Sequence, residues 1–287
     1  MAGGLMLSVI AAAPSIHHEA IDWARRASTN GGTISTTVLR AVSDFCAAID
    51  SGGLRGRFVR LNLFAGGNLS GALVPLYRAT SFGGTVVGNT TDTSINFVSS
   101  DFVETGSSGG LPGNGTNKYL LCGSVLASVN RADSHAAAYG FNLTSPSTGD
   151  RILMGAESAS GAGIVSLQTR DATNTQRLIY YSANSYTNFG LGVPTTSGFV
   201  MGSAVSSTDL RLYADGTQSG STVTGNRGTG AQTSTSMPVF AYSSNGSILG
   251  YSSARLCAYS VGLGMTAAQA SSYNTAMRSL QTALGRA

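Results

Sequence analysis

The feature that most constrains the fold is a change of hydrophobic period in the last third of the chain. Leu210, Leu212 and Ala214 alternate with other residues, which places one set of side chains on a buried strand face. The Asp215-Gly216 pair that follows tolerates positive φ twice, as a two-residue hairpin turn requires. Further strands are predicted over 237–242 and 254–261, with a second turn pair at Asn245-Gly246. From Met265 the period lengthens. Tyr273, Met277, Leu280 and Leu284 then line one side of a helix, Thr266 with Gln269 makes a capping box, and Gly285 marks the stop.

The middle of the chain repeats the short-strand pattern. Strands are predicted over 94–98, 102–105, 118–122, 136–141, 150–154, 164–169, 177–181 and 198–204. Gly83-Gly84, Gly109-Gly110, Pro112-Gly113-Asn114-Gly115 and Thr148-Gly149-Asp150 punctuate them. This spacing predicts two packed sheets, and the lack of a helix-length pattern before Thr266 excludes a parallel βαβ sheet. Charged residues make up 10% of the chain, against about 25% in ordinary soluble domains. With 42% hydrophobic residues the chain can still build a core, so it reads as all-β and not disordered.

The N-terminal part is helical. Ser15 is predicted to cap a helix over 16–28 whose stripe is Ile16, Ala20, Trp23, Ala24 and Ala27. After Asn30-Gly31-Gly32, Ser35 caps a second helix over 36–49, with Val38, Leu39, Val42, Phe45, Cys46 and Ile49 on one face. A strand over 57–64 and a short helix capped by Asn68 follow. The predicted organisation is an N-terminal arm over 1–79 (helical hairpin and connecting strand) and a β-sandwich with its closing helix over 80–287.

Tyr213, Asp215, Gly216, Asn245, Gly246, Tyr259, Thr266 and Gln269 stand in an order that resembles the C-terminal half of a concanavalin A-like, or laminin-G-like, jelly roll. Gly113 to Leu120 resembles an early strand of the same domains. The resemblance implies a mainly β protein: a concanavalin A-like jelly-roll β-sandwich with an N-terminal helical hairpin and a C-terminal helix. Two other blocks, Arg60-Leu61-Asn62-Leu63-Phe64 with Asn68 to Leu76, and Gln281 to Arg286, resemble a group of bacteriophage structural proteins. That likeness implies a non-enzymatic virion protein, such as a capsid decoration, head fibre or tail component, made in the host cytoplasm. Its implied partners are other virion proteins, with the chain as a homo-oligomer or in repeated copies. Ile16, Trp23, Arg25, Arg26 and Phe45 of the helical arm are then the candidate docking residues.

Other functions have weaker support. The net charge is +4 and the arginines are scattered, without the stripe that nucleic-acid binding needs. No apolar run reaches the ~20 residues of a membrane-spanning helix. The apolar run over 5–13 lacks a basic flank, so it is expected to be an uncleaved arm and not a signal peptide. Cys46, Cys122 and Cys257 form no Cys-x-x-Cys and are expected to be buried free thiols. His17, His18, Glu19 and Asp22 read as a solvated helix face, although His18 and Asp22 have the spacing of a metal pair. His135 lies near Asp133 with no nucleophile motif beside it. The turn aspartates, Asp92 among them, form no calcium string. No metal and no cofactor are predicted.

A glycosidase needs two carboxylates across the scissile bond. The nearest pair, Asp101 and Glu104, would point to opposite faces of a strand. A lectin-like site is the other alternative, with a host glycan as partner. It would use exposed aromatics and amides, here Tyr181, Asn184, Tyr186 and Asn188.

Overall fold

The alternating segments form two sheets that face one another. The computed structural model describes residues 15–80, 84–145, 151–158, 163–170, 173, 175–183, 189–193 and 195–287. One sheet runs Thr217–Gln218, Asp209–Ala214, Ser197–Ser206, Ser134–Phe141, Arg255–Gly262, Phe58–Asn62, Tyr77–Arg78, with Leu111–Pro112 also paired to Arg255–Gly262. The other runs Phe189–Gly192, Gln176–Ala183, Ile164–Arg170, Arg151–Glu157, Pro238–Val239, Tyr119–Leu121, Thr93–Ile95. Among the described strands the pairings are antiparallel, save that of Tyr242–Ser244 with Arg151–Glu157. The chain is thus a jelly-roll β-sandwich, as expected.

Local chemistry explains the connections. Asp215 and Gly216 have φ of 47° and 78°, and Asn245 and Gly246 have 48° and 91°, the left-handed pairs that match strand twist. Between the sheets, Ala136, Ala138, Val200 and Leu212 meet Met154, Val165, Leu167 and Tyr180. Gly202 makes room for this packing. A Cβ there would lie 2.0 Å from Cγ of Tyr180, so any side chain would drive the ring away.

The first sheet is buried on both sides. Its alternate residues, including Ala137, Tyr139, Phe199, Met201 and Tyr213, enter a second core. Helices α1 (His18–Thr29) and α2 (Thr36–Ser51), and the closing helix, cover it. The short helix α3 (Leu69–Ala72) precedes Tyr77–Arg78, and α4 (Ala267–Ala283) is the closing helix. The result is three layers: helices, sheet, sheet.

Two boundaries differ from expectation. The expected division near residue 79 fails because Phe58–Asn62 pairs with Arg255–Gly262 inside the sheet. The cap of α1 is His17, not Ser15: its extended backbone precedes the helix, and its Nδ1 accepts the Glu19 N–H at 3.2 Å. Ser35 caps α2 and the Thr266–Gln269 box caps α4, as expected.

Two buried arginines are well satisfied inside the sandwich. Arg60 donates to Asp92 Oδ1 at 2.6 Å through Nη2 and to the Asn89 carbonyl at 2.8 Å. Asn62 donates to Asp92 Oδ2 at 2.7 Å and the Tyr259 hydroxyl donates to the same carboxylate at 2.8 Å. Arg286 binds four backbone carbonyls, those of Leu63, Phe64, Glu104 and Cys257. Phe64 needs such clamping, because its φ of 43° is unfavourable for a bulky residue.

His135 does not face Asp133. Its Nδ1–H donates to the Leu263 carbonyl at 2.7 Å, and Nε2 lies 3.0 Å from the Ser260 hydroxyl. Asp133 instead accepts the Gly264 N–H at 2.7 Å. Burial pushes His135 down to about 4 from the usual 6.5. The unfolded chain therefore takes up a proton below pH ~6.5 that the folded chain refuses until about 4. The stability from neutral His135 is complete above pH ~6.5 and is lost as the pH falls toward 4, by about 3 kcal/mol. Urea melts between pH 7 and 4 should show this loss, and His135→Gln should flatten it.

Candidate functional site

A cleft lies where α1 meets the edge strand Tyr77–Arg78. Glu19, Asp22 and Arg26 fall on one face of α1 by their i, i+3, i+7 spacing. Arg55 enters from the turn after α2, and Tyr77 and Arg78 come from the strand. The cleft encloses about 440 Å³.

Among the described residues most of its charges are paired. Arg55 Nε bonds Glu19 Oε1, and the Arg55 guanidinium sits 4.0 Å above the Tyr77 ring. Asp22 accepts from Arg25 at 2.6 Å and from Arg26 at 2.8 Å. Burial opposes the charge of Asp22, but these two arginines hold its carboxyl below its ordinary range. Arg26 also donates to the carbonyls of Pro75 and Leu76, tying α1 to the strand. Among the described residues Arg78 has one long bond, 3.3 Å, to the Thr90 carbonyl. Burial, with Arg26 next in weight, makes Arg78 easier to deprotonate than an ordinary arginine.

Behind the cleft sits a compact group of potential ligands. One ligating atom each of His17, Glu19 and Cys46 lies within 4.8 Å of the others. The His17 Nε2 pairs with Asp50 at 3.0 Å. Burial pushes the Cys46 thiol up to about 12. Burial also raises the Tyr77 hydroxyl far above its usual value, with Cys46 and Glu19 adding to the effect. The sequence spacing suits His18 with Asp22, but His18 is exposed and His17 is the half-buried one. Cys46 and Tyr77 went unrecognised because they come from separate elements. The His17-x-Glu19 spacing was the available signal.

The expected docking residues divide sharply. Trp23 and Phe45 are 1% and 2% exposed, packed in this chain's own second core. Trp23 also donates from Nε1 to the Val74 carbonyl at 3.2 Å. Their assignment to a partner surface is therefore corrected: the sheet beneath already occupies them. Ile16 packs at the edge of the same core, Arg26 is tied internally, and Arg25 alone is open to solvent.

Asp101 and Glu104 do not form a pair. Asp101 accepts from Lys118 at 2.6 Å and from the Val98 N–H at 2.7 Å. Glu104 accepts the N–H groups of Gly66 and Gly67 at 2.7 and 2.6 Å. The predicted strand over 102–105 is reduced to one bridge, Val103 with Gly110. Of the proposed glycan residues, Tyr181 is half-buried with its ring 4.9 Å from that of Phe189. Asn184, Tyr186 and Asn188 lie outside the described residues, as does the apolar run over 5–13.

Fold and cleft together define a jelly-roll module with helices covering one sheet. No family model matches the chain, and no curated protein matches it. Among solved structures it is similar to domain 4 of AbnA, a GH43 extracellular arabinanase from Geobacillus stearothermophilus, in complex with arabinotriose. The identity is 15% and the TM-score 0.45, over 76% of this chain and 98% of that one. It is also similar to Trypanosoma rangeli sialidase (11% identity, TM-score 0.41, 85% of this chain, 40% of the sialidase). A third likeness is to the Botulinum neurotoxin serotype D binding domain, at 8% identity and TM-score 0.38, over 78% of this chain and 51% of that one.

Proposed function

We propose that this chain is a non-enzymatic structural protein of a bacteriophage particle, a capsid decoration, head fibre or tail component that displays its jelly roll. One observation carries the reading. The two sequence blocks that resemble phage structural proteins, far apart in the chain, meet in space through the bonds of Arg286 to Leu63 and Phe64. Their polar residues Arg60, Asn62 and Arg286 hold the framework together. The carboxylates support the same reading, since Asp92, Asp101, Glu104, Asp209 and Asp215 all accept bonds from the chain itself. Mass spectrometry of purified particles is expected to find the chain at a fixed copy number. Its absence from particles, or polysaccharide turnover lost on Asp101→Asn or Glu104→Gln, would overturn the proposal.

A second reading is a glycan-binding module, favoured by the edge of the second sheet. Tyr181 and Phe189 pack there with their rings tilted by 43°, beside Leu191, 40% exposed, and Val193, 72% exposed. Aromatic faces of this kind can stack on a sugar ring. On this reading a glycan array gives a signal that Tyr181→Ala abolishes. A signal unchanged in that variant removes the site.

A further inference from the structure

We propose that Arg78, with Arg25 and the hydroxyls of Thr90 and Thr91, binds a phosphate-class dianion, either inorganic phosphate or the end of a phosphate monoester. Arg78 stands on a ridge between two clefts. One is the cleft between α1 and Tyr77–Arg78. The other, of about 260 Å³, lies between the last turn of α1 and the turn that carries Thr90 and Thr91. Arg26 and Arg78 line both, and Arg25 lines the second.

The charge balance selects the ligand. Glu19 cancels Arg55, and the buried pair Arg60 and Asp92 cancels itself. Arg25 and Arg26 share the single Asp22 carboxylate, at 2.6 and 2.8 Å. Among the described residues Arg78 has no carboxylate of its own, and its bond is the long one to the Thr90 carbonyl. Three guanidiniums against one carboxylate therefore leave two positive charges over. A phosphate monoester carries about −1.5 to −2 near pH 7, which matches that surplus better than a carboxylate does. Burial first, and Arg26 after it, weigh against the charge on Arg78, so an anion in either cleft relieves a real cost.

The donors suit the same ligand. Arg78 is half-buried and presents the rest of its planar fork of N–H groups to the clefts, a shape that meets two phosphate oxygens at once. Thr90 and Thr91 add hydroxyl donors from the facing wall. Arg25, 74% exposed, reaches a ligand by a rotamer change, while Arg26 contributes its field and stays tied to the Pro75 and Leu76 carbonyls. Both walls are fixed before any ligand arrives. Those carbonyls anchor α1, and the Thr90 turn is pinned on either side. There the Asn89 carbonyl accepts from Arg60 at 2.8 Å, and the Asp92 N–H donates to the Leu73 carbonyl at 2.9 Å.

The test is isothermal titration calorimetry of the full chain with inorganic phosphate, with sodium chloride adjusted to hold the ionic strength constant. Saturable binding at one equivalent is expected. Arg78→Gln should weaken it at least about tenfold, the loss of a charge-assisted hydrogen bond. Asp22→Asn should act in the opposite direction and tighten it about twofold to fivefold, because a competing carboxylate is gone. Arg40→Gln, at an exposed position of α2 outside both clefts, should change nothing. Should Arg78→Gln fail to fold, Asp22→Asn decides. Methyl phosphate that binds at least as well as inorganic phosphate assigns the occupant as a monoester, and weaker binding assigns it as the free ion. No saturable binding, unchanged affinity in folded Arg78→Gln, binding no tighter in Asp22→Asn, or a loss in Arg40→Gln equal to that in Arg78→Gln would overturn the site.

Discussion

Asp92→Ala is expected to cost about 3–5 kcal/mol of folding stability, the cost of stripping a buried charge of its partner. Arg60 and Asp92 have side chains 0% exposed to solvent. The variant would leave the Arg60 guanidinium without a counter-charge and would also remove the acceptor of Asn62 and Tyr259. Urea denaturation of the two proteins measures the difference. The double variant Arg60→Met with Asp92→Leu should recover much of the loss, because a well-packed apolar pair can replace a buried ion pair. A loss below about 1 kcal/mol for Asp92→Ala would mean that Arg60 finds water, and that the network is open.

That network shows what the sequence made legible. Arg60 and Asn62 stood out as part of a block, but nothing in their spacing reveals Asp92, which lies in a turn thirty-two positions from Arg60. In the sequence Asp92 read as one more turn residue. The hairpins at Asp215-Gly216 and Asn245-Gly246 were legible because turn chemistry is local and both pairs need positive φ. Most strands were legible from alternation, that over 102–105 excepted, and α4 from its capping box. The three-layer arrangement was not. Ser134–Phe141 is buried along nearly its whole length because both faces are covered. Its alternate side chains are small on one face and mixed on the other, so period alone does not say what lies behind it. The cluster behind the cleft was hidden for a related reason: His17, Cys46 and Tyr77 come from three elements whose contact is a property of packing. An inward His17 and an outward His18 are neighbours in sequence, and only the helix start decides between them.

The apolar stripe of the helical hairpin raises the same question most sharply, since a stripe looks identical whether it packs on its own chain or on a partner. Trp23→Ala decides it for the isolated chain. Removing a fully buried Trp should cost about 3–5 kcal/mol, and each kcal/mol lowers the Tm of a chain this size by about 2–4 °C. Scanning calorimetry of the isolated chain should therefore show a fall on the order of 10 °C. A Trp23 held for a partner would give no such fall, and an unchanged Tm would sink the packing described for α1. Arg25→Ala is the matched control. Its side chain is 74% exposed and bonds Asp22 at the surface, so its effect should stay within about 0.5 kcal/mol. If the particle uses this layer for docking, contact must run through the outward side of α1, where Ile21 is 53% exposed beside Asp22 and Arg25. Ile21→Asp should then leave the Tm near that of the parent while reducing incorporation into particles, an effect that Trp23→Ala would produce only by unfolding the chain.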